Sequence, residues 1–402
     1  GGTTRSPKMR GIVQAGLESG KLVCGHARSL EGQGLQGFVA AGVESDHELT
    51  NRFDILEKLR AGMTLELRVS HEMVLPEAVA AFEEIGCVPQ TVTLCTDDIF
   101  PDDLVARGGI VHMLRCLVKL GMNPVSALRC GTLNAAMRLG RRDLGLVAPG
   151  RRADLVVFKD LADFAVTEVF TSGQHVASNG TMRVEMRPDT GVAPTHTMNL
   201  KPVSASDFHI PAQGTHARIH TVHTPRSTHW AERDVEVRDG KIVLPKDTAL
   251  MTVFNRYGET SKPGQGVLGG WGEWSGAIAT TILHDSHNLA VFGHDPDDMA
   301  AAANALIACG GGMAVAKDGK VVAMLDLPVC GLLSTAEPED VAVLFQKVRD
   351  AAADVSTWEG LPVMIKLIIG ASLACNPGPH VTDLGITDGM TGRIVTDMVI
   401  PA

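Results

Sequence analysis

Met63-Thr64-Leu65-Glu66-Leu67, a helix-length segment opened by Pro76 and running to about Ile85, and Thr91-Val92-Thr93-Leu94 decide the fold, because they follow one another as strand, helix and strand. Pro76 suits the first turn of a helix, where its missing N–H leaves no intrahelical bond unmade. Upstream the same alternation continues: a helix at about 51–61, the short run Gly42-Val43-Glu44, a helical segment 29–41, the strand Leu22-Val23-Cys24 and a helix at 8–19. Four strands separated by helix-length segments are the signature of consecutive βα units and a parallel sheet. Downstream, two further helices are expected at about 102–121 and 124–139.

Beyond Gly140 the rhythm becomes short β-type runs at 153–158, 166–171 and 174–177, with Ser178-Asn179-Gly180 as turn chemistry, which reads as a small β appendage. Residues 186–216, rich in Pro, Thr, His and Ala, make the best linker. A second domain of α+β class follows, with hairpin signals at Asp239-Gly240 and Asp318-Gly319 and helices at about 296–308 and 337–354.

Composition narrows the function classes. The chain has 402 residues, 45% of them hydrophobic and 20% charged, which excludes disorder as the main state. Its 43 Gly and few aromatics point to tight turns around a Val, Leu, Ala and Ile core. A net charge of −10 opposes a broad grip on nucleic acid or an anionic membrane. The eight cysteines lie in apolar stretches without a CxxC, and read as reduced, mostly buried thiols of a cytoplasmic protein. The most membrane-like run, Met299 to Ala316, is interrupted by Asn304 and Gly310-Gly311-Gly312, so it reads as an Ala-rich helix and loop.

Three polar groups fall just past the ends of predicted strands: His26, His47 and Asp97. Catalytic groups in a (β/α)8 barrel come from the C-terminal ends of several strands, on one shared face. Two imidazoles and a carboxylate there can converge on a borderline divalent ion such as Zn²⁺, Mn²⁺ or Fe²⁺. A carboxylate beside bound water can also take its proton. The bland alternative is that each is a polar loop residue.

The blocks Val23-Cys24-Gly25-His26-Ala27-Arg28, Ser45-Asp46-His47-Glu48, Thr91 to Asp98 and Phe100-Pro101-Asp102-Asp103-Leu104 closely resemble adenine deaminases of the amidohydrolase superfamily. So does Thr132-Leu133-Asn134-Ala135-Ala136, continuing through Gly145 to Gly150-Arg151-Arg152-Ala153-Asp154-Leu155-Val156, where the superfamily leaves its barrel for a small β domain. Trp271-Gly272, His284-Asp285-Ser286-His287-Asn288, Gly310 to Val315 and Ala374 to His380 resemble that family's C-terminal domain.

The resemblance implies an α/β plus α+β chain: the second half of an amidohydrolase-type (β/α)8 TIM barrel at 1–140, returning strands of a small β-sandwich appendage at 141–185, a linker at 186–216 and the family's α+β C-terminal domain at 217–402. It also implies that His26 and His47 ligate metal, with Mn²⁺ expected and Fe²⁺ or Zn²⁺ as alternatives, and that Asp97 binds metal and shuttles protons. The reaction implied is hydrolysis of adenine to hypoxanthine and ammonia, by a cytoplasmic homodimer in purine salvage. Glu48 and His71 are expected to hold the base or relay a proton. His284, Asp285 and His287 read either as an active-site or second metal cluster or as a hydrogen-bonded loop that packs over the barrel mouth. Asp98, Asp102 and Asp103 read as loop acids and helix N-terminal charge.

Two family features have no counterpart here. The superfamily's first strand ends in His-x-His, which this chain lacks, and nothing in its first 25 residues matches the metal-bridging Glu of adenine deaminases. The expectation is therefore a fragment or truncated frame, with a non-catalytic purine-binding paralogue, or an amidohydrolase of another purine or cyclic amide, as rivals.

Overall fold

A computed structural model describes residues 7–185, 195, 197–223, 228–260, 262–284, 286–358 and 370–401. The chain divides into two units, Gly1–Asp189 and Thr190–Ala402.

In the first unit, β1 (Ser45–Asp46), β2 (Thr64–Arg68) and β3 (Val92–Cys95) form a parallel sheet whose spatial order follows chain order. Cys24 adds a single parallel bridge to Ser45. Helices Gly32–Ala40, Arg52–Arg60 and Leu75–Ile85 supply the crossover connections that sequential parallel strands require. Alternation along β2 sends Leu65 and Leu67 into the core beneath the helices, while Glu66 and Arg68 point to the opposite face. That face becomes the candidate site.

The sequence places most elements of this unit to within a few residues, with four corrections. The expected strand Leu22-Val23-Cys24 is reduced to the bridge at Cys24, and pairing falls on Ser45–Asp46 instead of Gly42-Val43-Glu44. The helix expected over 102–121 is broken at Gly108-Gly109 into Pro101–Arg107 and Ile110–Lys119, because Gly108 takes φ +88°. The helix expected over 124–139 breaks at Thr132 (φ −127°, ψ −90°) into Pro124–Gly131 and Leu133–Arg138. The parallel sheet does not close into a barrel among the described residues. A four-stranded antiparallel meander, Leu155–Phe158 to Thr181–Met182, completes this unit.

The second unit is built on a ten-stranded sheet that is mostly antiparallel. Its two foreseen hairpins turn through Asp239-Gly240 (φ 51° and 73°) and Asp318-Gly319 (φ 54° and 71°), the paired left-handed residues of a tight I′ turn. Thr248–Phe254 is buried along its whole length between two neighbouring strands. Helices Pro296–Cys309 and Pro338–Asp354 lie close to the expected spans. The stretch Met299 to Ala316 is the end of one of these helices and the strand Gly312–Lys317, and among the described residues no helix is long and apolar enough to cross a membrane. The cysteines are all free thiols, but only Cys130 is buried, and Cys24, Cys87 and Cys375 are exposed. Apolar neighbours in sequence do not ensure burial when a residue sits at a strand or helix end.

A fully buried imidazole in this unit gives a test of acid stability. The ring of His380 lies between the Gly378 carbonyl, 3.0 Å from Nδ1, and Thr228 Oγ1, 3.4 Å from Nε2. Burial holds its pKa below the ordinary value, against the raising effects of the Gly378 carbonyl and Asp388. The unfolded chain therefore binds the proton first. The stabilising effect of the neutral ring is complete above the unfolded value of about 6.5 and is lost as pH falls from there toward the folded value, at ~1.4 kcal/mol per unit of difference. Thermal unfolding of the chain should become easier between pH 7.5 and 5 by a margin that His380→Gln reduces; an equal slope in both proteins refutes this assignment.

Candidate metal centre

The ends of the parallel strands bring most of the expected residues together. His47 directly follows β1, Asp97 lies two residues beyond β3, and His26 lies two residues beyond the Cys24 bridge. The His26 and His47 rings meet edge to face with centroids 4.6 Å apart. His26, His47 and Glu48 each offer a ligand atom within 4.8 Å of the others. Donors bound at about 2.0–2.2 Å to a single ion stand roughly 3–4 Å apart, so this trio needs only a small contraction to hold one. Neutral imidazole and carboxylate also suit a borderline divalent cation.

Asp97 stands differently from the expectation. Its Oδ1 is 3.7 Å from His47 Nε2, while Oδ2 accepts from Arg68 Nη1 at 2.8 Å and from the Asp98 amide at 2.8 Å. Glu48, expected to touch the base or relay a proton, instead shares the ligand trio with the two histidines. Asp97 takes φ +55°, a left-handed conformation that Asp tolerates better than most residues. His71 lies beside the site, 2.8 Å from Arg68 Nη2 and buried.

Several residues that hold the site are missed by the sequence reading. Arg68 is buried and bridges two candidate carboxylates, donating to Glu48 Oε1 at 2.9 Å and to Asp97. Glu66 lies 3.4 Å from His47 Nδ1 and is held from the other side by Arg138 Nε at 2.8 Å. Arg138 also donates to Ser45 Oγ at 2.7 Å. Strand alternation could have singled out Glu66 and Arg68, since both occur in phase on the face away from the leucines.

The electrostatics follow from these pairs. The hydrogen bond with Glu66 raises the His47 pKa, against burial, and the Asp97 charge adds to the rise; the same bond lowers that of Glu66. Burial alone would raise the Glu48 carboxyl, but the His26 contact and the Arg68 charge outweigh it and pull it well below the usual carboxylate range. Burial pushes the Cys95 thiol up to about 12, with the Asp97 charge adding, so Cys95 is a neutral thiol at neutral pH in the metal-free protein. A carboxylate on the rear nitrogen of a ligating His fixes its tautomer and orientation. Glu66→Gln should therefore weaken Mn²⁺ binding by about 10- to 100-fold, read by electron paramagnetic resonance of free Mn²⁺. Unchanged affinity would remove Glu66 from the site.

Two other clusters differ in kind. Glu72, His112 and Cys116 also approach within 4.8 Å, but the Arg107 guanidinium fills the group, donating to Glu72 and lying 2.8 Å from His112 Nε2. This is an ion-pair cluster that already holds its cation. In the second unit the His284 and His287 rings are 6.0 Å apart, and among the described residues neither joins a trio of possible metal ligands. Asp285 lies outside the described residues. The loop is tied by its backbone, with the His284 carbonyl accepting from Ser372 Oγ at 3.0 Å and the His287 carbonyl from Arg256.

Comparison with known proteins gives these observations a family. The amidohydrolase family profile matches residues 2–176, and that of the adenine deaminase C-terminal domain matches residues 226–393. The chain is 52% identical over 396 residues to adenine deaminase 2 of Rhizobium meliloti (strain 1021), covering 98% of this chain and 67% of that protein. It is 51% identical over 399 residues to adenine deaminase 2 of Agrobacterium fabrum, covering 98% and 66%. With adenine deaminase 2 of Carboxydothermus hydrogenoformans it shares 36% over 395 residues, covering 96% and 68%. The chain thus spans about two thirds of the length of the curated relatives it matches, with an amidohydrolase-type α/β domain followed by a separate α+β domain. On this evidence the chain belongs to the adenine deaminase family of the amidohydrolase superfamily.

Proposed function

We propose that this chain carries metal-binding and proton-transfer groups for the hydrolysis of adenine to hypoxanthine and ammonia. The observation that carries the reading is the convergence of His26, His47, Glu48 and Asp97 at the ends of consecutive parallel strands. The family membership supplies the substrate. In this reading the parallel sheet is the second half of a (β/α)8 barrel, and residues 217–402 are the family's C-terminal domain.

A divalent ion, Mn²⁺ by the family resemblance, would be held by His26, His47 and Glu48, with Asp97 beside His47; when bound it supplies an acidified water and charge stabilisation. Asp97 takes the proton of the attacking water and delivers it to the departing amino group, a transfer for which a carboxylate within reach of both atoms is suited. Arg68 fixes Asp97 Oδ2, which leaves Oδ1 on the side of His47. Glu66 holds the His47 ring in place from behind. In this reading His71, buried and 2.8 Å from Arg68 Nη2, contacts the purine. The protein is further read as a cytoplasmic homodimer acting on a small-molecule substrate, without nucleic-acid or membrane partners; the charge of −10 supports the last point.

The test is turnover by the purified chain with and without Mn²⁺, read as ammonia release from adenine, guanine and cytosine and as ring opening of hydantoin, which releases no ammonia. Mn²⁺-dependent turnover of adenine above the others is the expected result, and preference for another ring would reassign the substrate. A second reading, adenine binding without turnover, is favoured by one observation: Arg68 already neutralises both Glu48 and Asp97. Adenine binding by calorimetry with no ammonia released would select it.

A further inference from the structure

Lys58 is wholly buried, and so are the two carboxylates that hold it. Its Nζ lies 2.7 Å from Asp46 Oδ2 and 2.5 Å from Asp54 Oδ1, with side-chain exposures of 0%, 0% and 1% for Lys58, Asp46 and Asp54. The other oxygens of these acids are aimed at backbone amides. Asp46 Oδ1 accepts from Ala27 N at 2.9 Å and from Glu48 N at 3.0 Å, and Asp54 Oδ2 accepts from Thr50 N at 3.0 Å. Ala27 follows His26, and Asp46 and Glu48 flank His47. One carboxylate oxygen therefore ties together the two segments that carry the histidines.

We propose that Asp46, locked by Lys58, is the positioning residue that presets the spacing of His26, His47 and Glu48 for the metal; the inference rests on the metal reading of the site. Stability alone is a poor reason for the triad. Removing three charges from water is costly, and well-packed apolar residues of similar volume commonly serve a core as well or better. What an apolar replacement cannot supply is an acceptor fixed between two amides 19 residues and 2 residues away in the chain. Lys58 directs that acceptor: with Oδ2 held by the ammonium, Oδ1 has one orientation, and the amides on either side of the site share it. Ligand sets held by such locked supports bind metal more tightly than the same ligands on loose loops.

Two double variants separate positioning from stability. Asp46→Asn/Lys58→Met retains a side-chain carbonyl for the two amides, whereas Asp46→Ala/Lys58→Met removes it; both leave Asp54 in the same altered setting. The expected result is that the alanine double melts below the asparagine double, because it leaves two amides unmet, while Mn²⁺ affinity, measured where both proteins are fully folded, stays within about 10-fold of the parent for the asparagine double and falls about 10- to 100-fold further for the alanine double. Equal Mn²⁺ affinities of the two folded proteins overturn the proposal. The parent chain gives a second measurement that needs no variant. Before Mn²⁺ is added, the Ala27 and Glu48 amides should already exchange with deuterium slowly, and exchange at open-loop rates overturns the proposal even if both doubles fail to fold. Should the parent bind no Mn²⁺ at all, the metal reading fails, and slow exchange of these amides would show the tether standing without it.

Discussion

Replacing Arg256 by methionine should lower the stability of the C-terminal unit by about 3–5 kcal/mol, a large part of the roughly 5–15 kcal/mol that holds a typical domain together. The guanidinium is 1% exposed. It donates to the His287 carbonyl, to Thr197 Oγ1 at 2.6 Å, to the Cys330 carbonyl at 2.7 Å and to Tyr257 Oη at 3.1 Å. Its carbon also lies 4.6 Å from the centre of the Tyr257 ring. Methionine fills much of the volume but leaves these acceptors, gathered from distant segments of the unit, without a donor. Each buried acceptor left unmet costs about 1–3 kcal/mol, and the charged donor makes these bonds stronger than average. Urea unfolding followed by the fluorescence of Trp271 and Trp274, both buried in this unit, is the measurement. A shift below about 1 kcal/mol would mean that the loops close without Arg256.

Asp97→Asn should reduce turnover of adenine by a factor of about 10² to 10⁴, the usual worth of a positioned general base. The substitution isolates proton transfer. Asn accepts the left-handed backbone at φ +55° as readily as Asp, so the turn after β3 is kept, and His26, His47 and Glu48 still offer their ligand atoms. The loss should therefore fall mainly on kcat, with Mn²⁺ affinity changed much less. An Asn variant that keeps more than about a tenth of the parent rate would remove Asp97 from the proton path, and Glu48 would be the next candidate.

The sequence exposes one part of this site and conceals another, for physical reasons. His26, His47 and Asp97 are legible because a parallel βα unit releases the chain at a predictable place, just past an apolar strand, and polar residues of ligand type stand there. Their supports are hidden. Lys58 occurs in Arg52–Arg60 among alternating charges, where a lysine ordinarily faces water; Asp54 stands four residues before it on the same helix, but nothing local shows that Asp46 closes over the pair and buries it. Arg138 reaches Glu66 across 72 positions, a contact created only when the last helix of the unit packs back. The choice between Glu48 and Asp97 in the ligand trio is equally a tertiary matter, set by the way Arg68 holds each one. In the C-terminal unit the turns were readable because Asp-Gly pairs accept left-handed angles, whereas the Arg256 staple depends on carbonyls that any residue could supply.

The strand Thr248–Phe254 sits inside the large sheet with a partner on each side and every residue buried, and it runs directly into Asn255 and Arg256. Its amides are released only when the whole unit opens, so the free energy of that opening is written in how slowly this seven-residue segment takes up deuterium. Edge segments such as Lys320–Asp326, paired among the described residues only with Gly312–Lys317, would exchange through local fraying instead. The contrast makes the sheet its own gauge: the centre registers cooperative unfolding and the rim registers local breathing, within one molecule and one experiment.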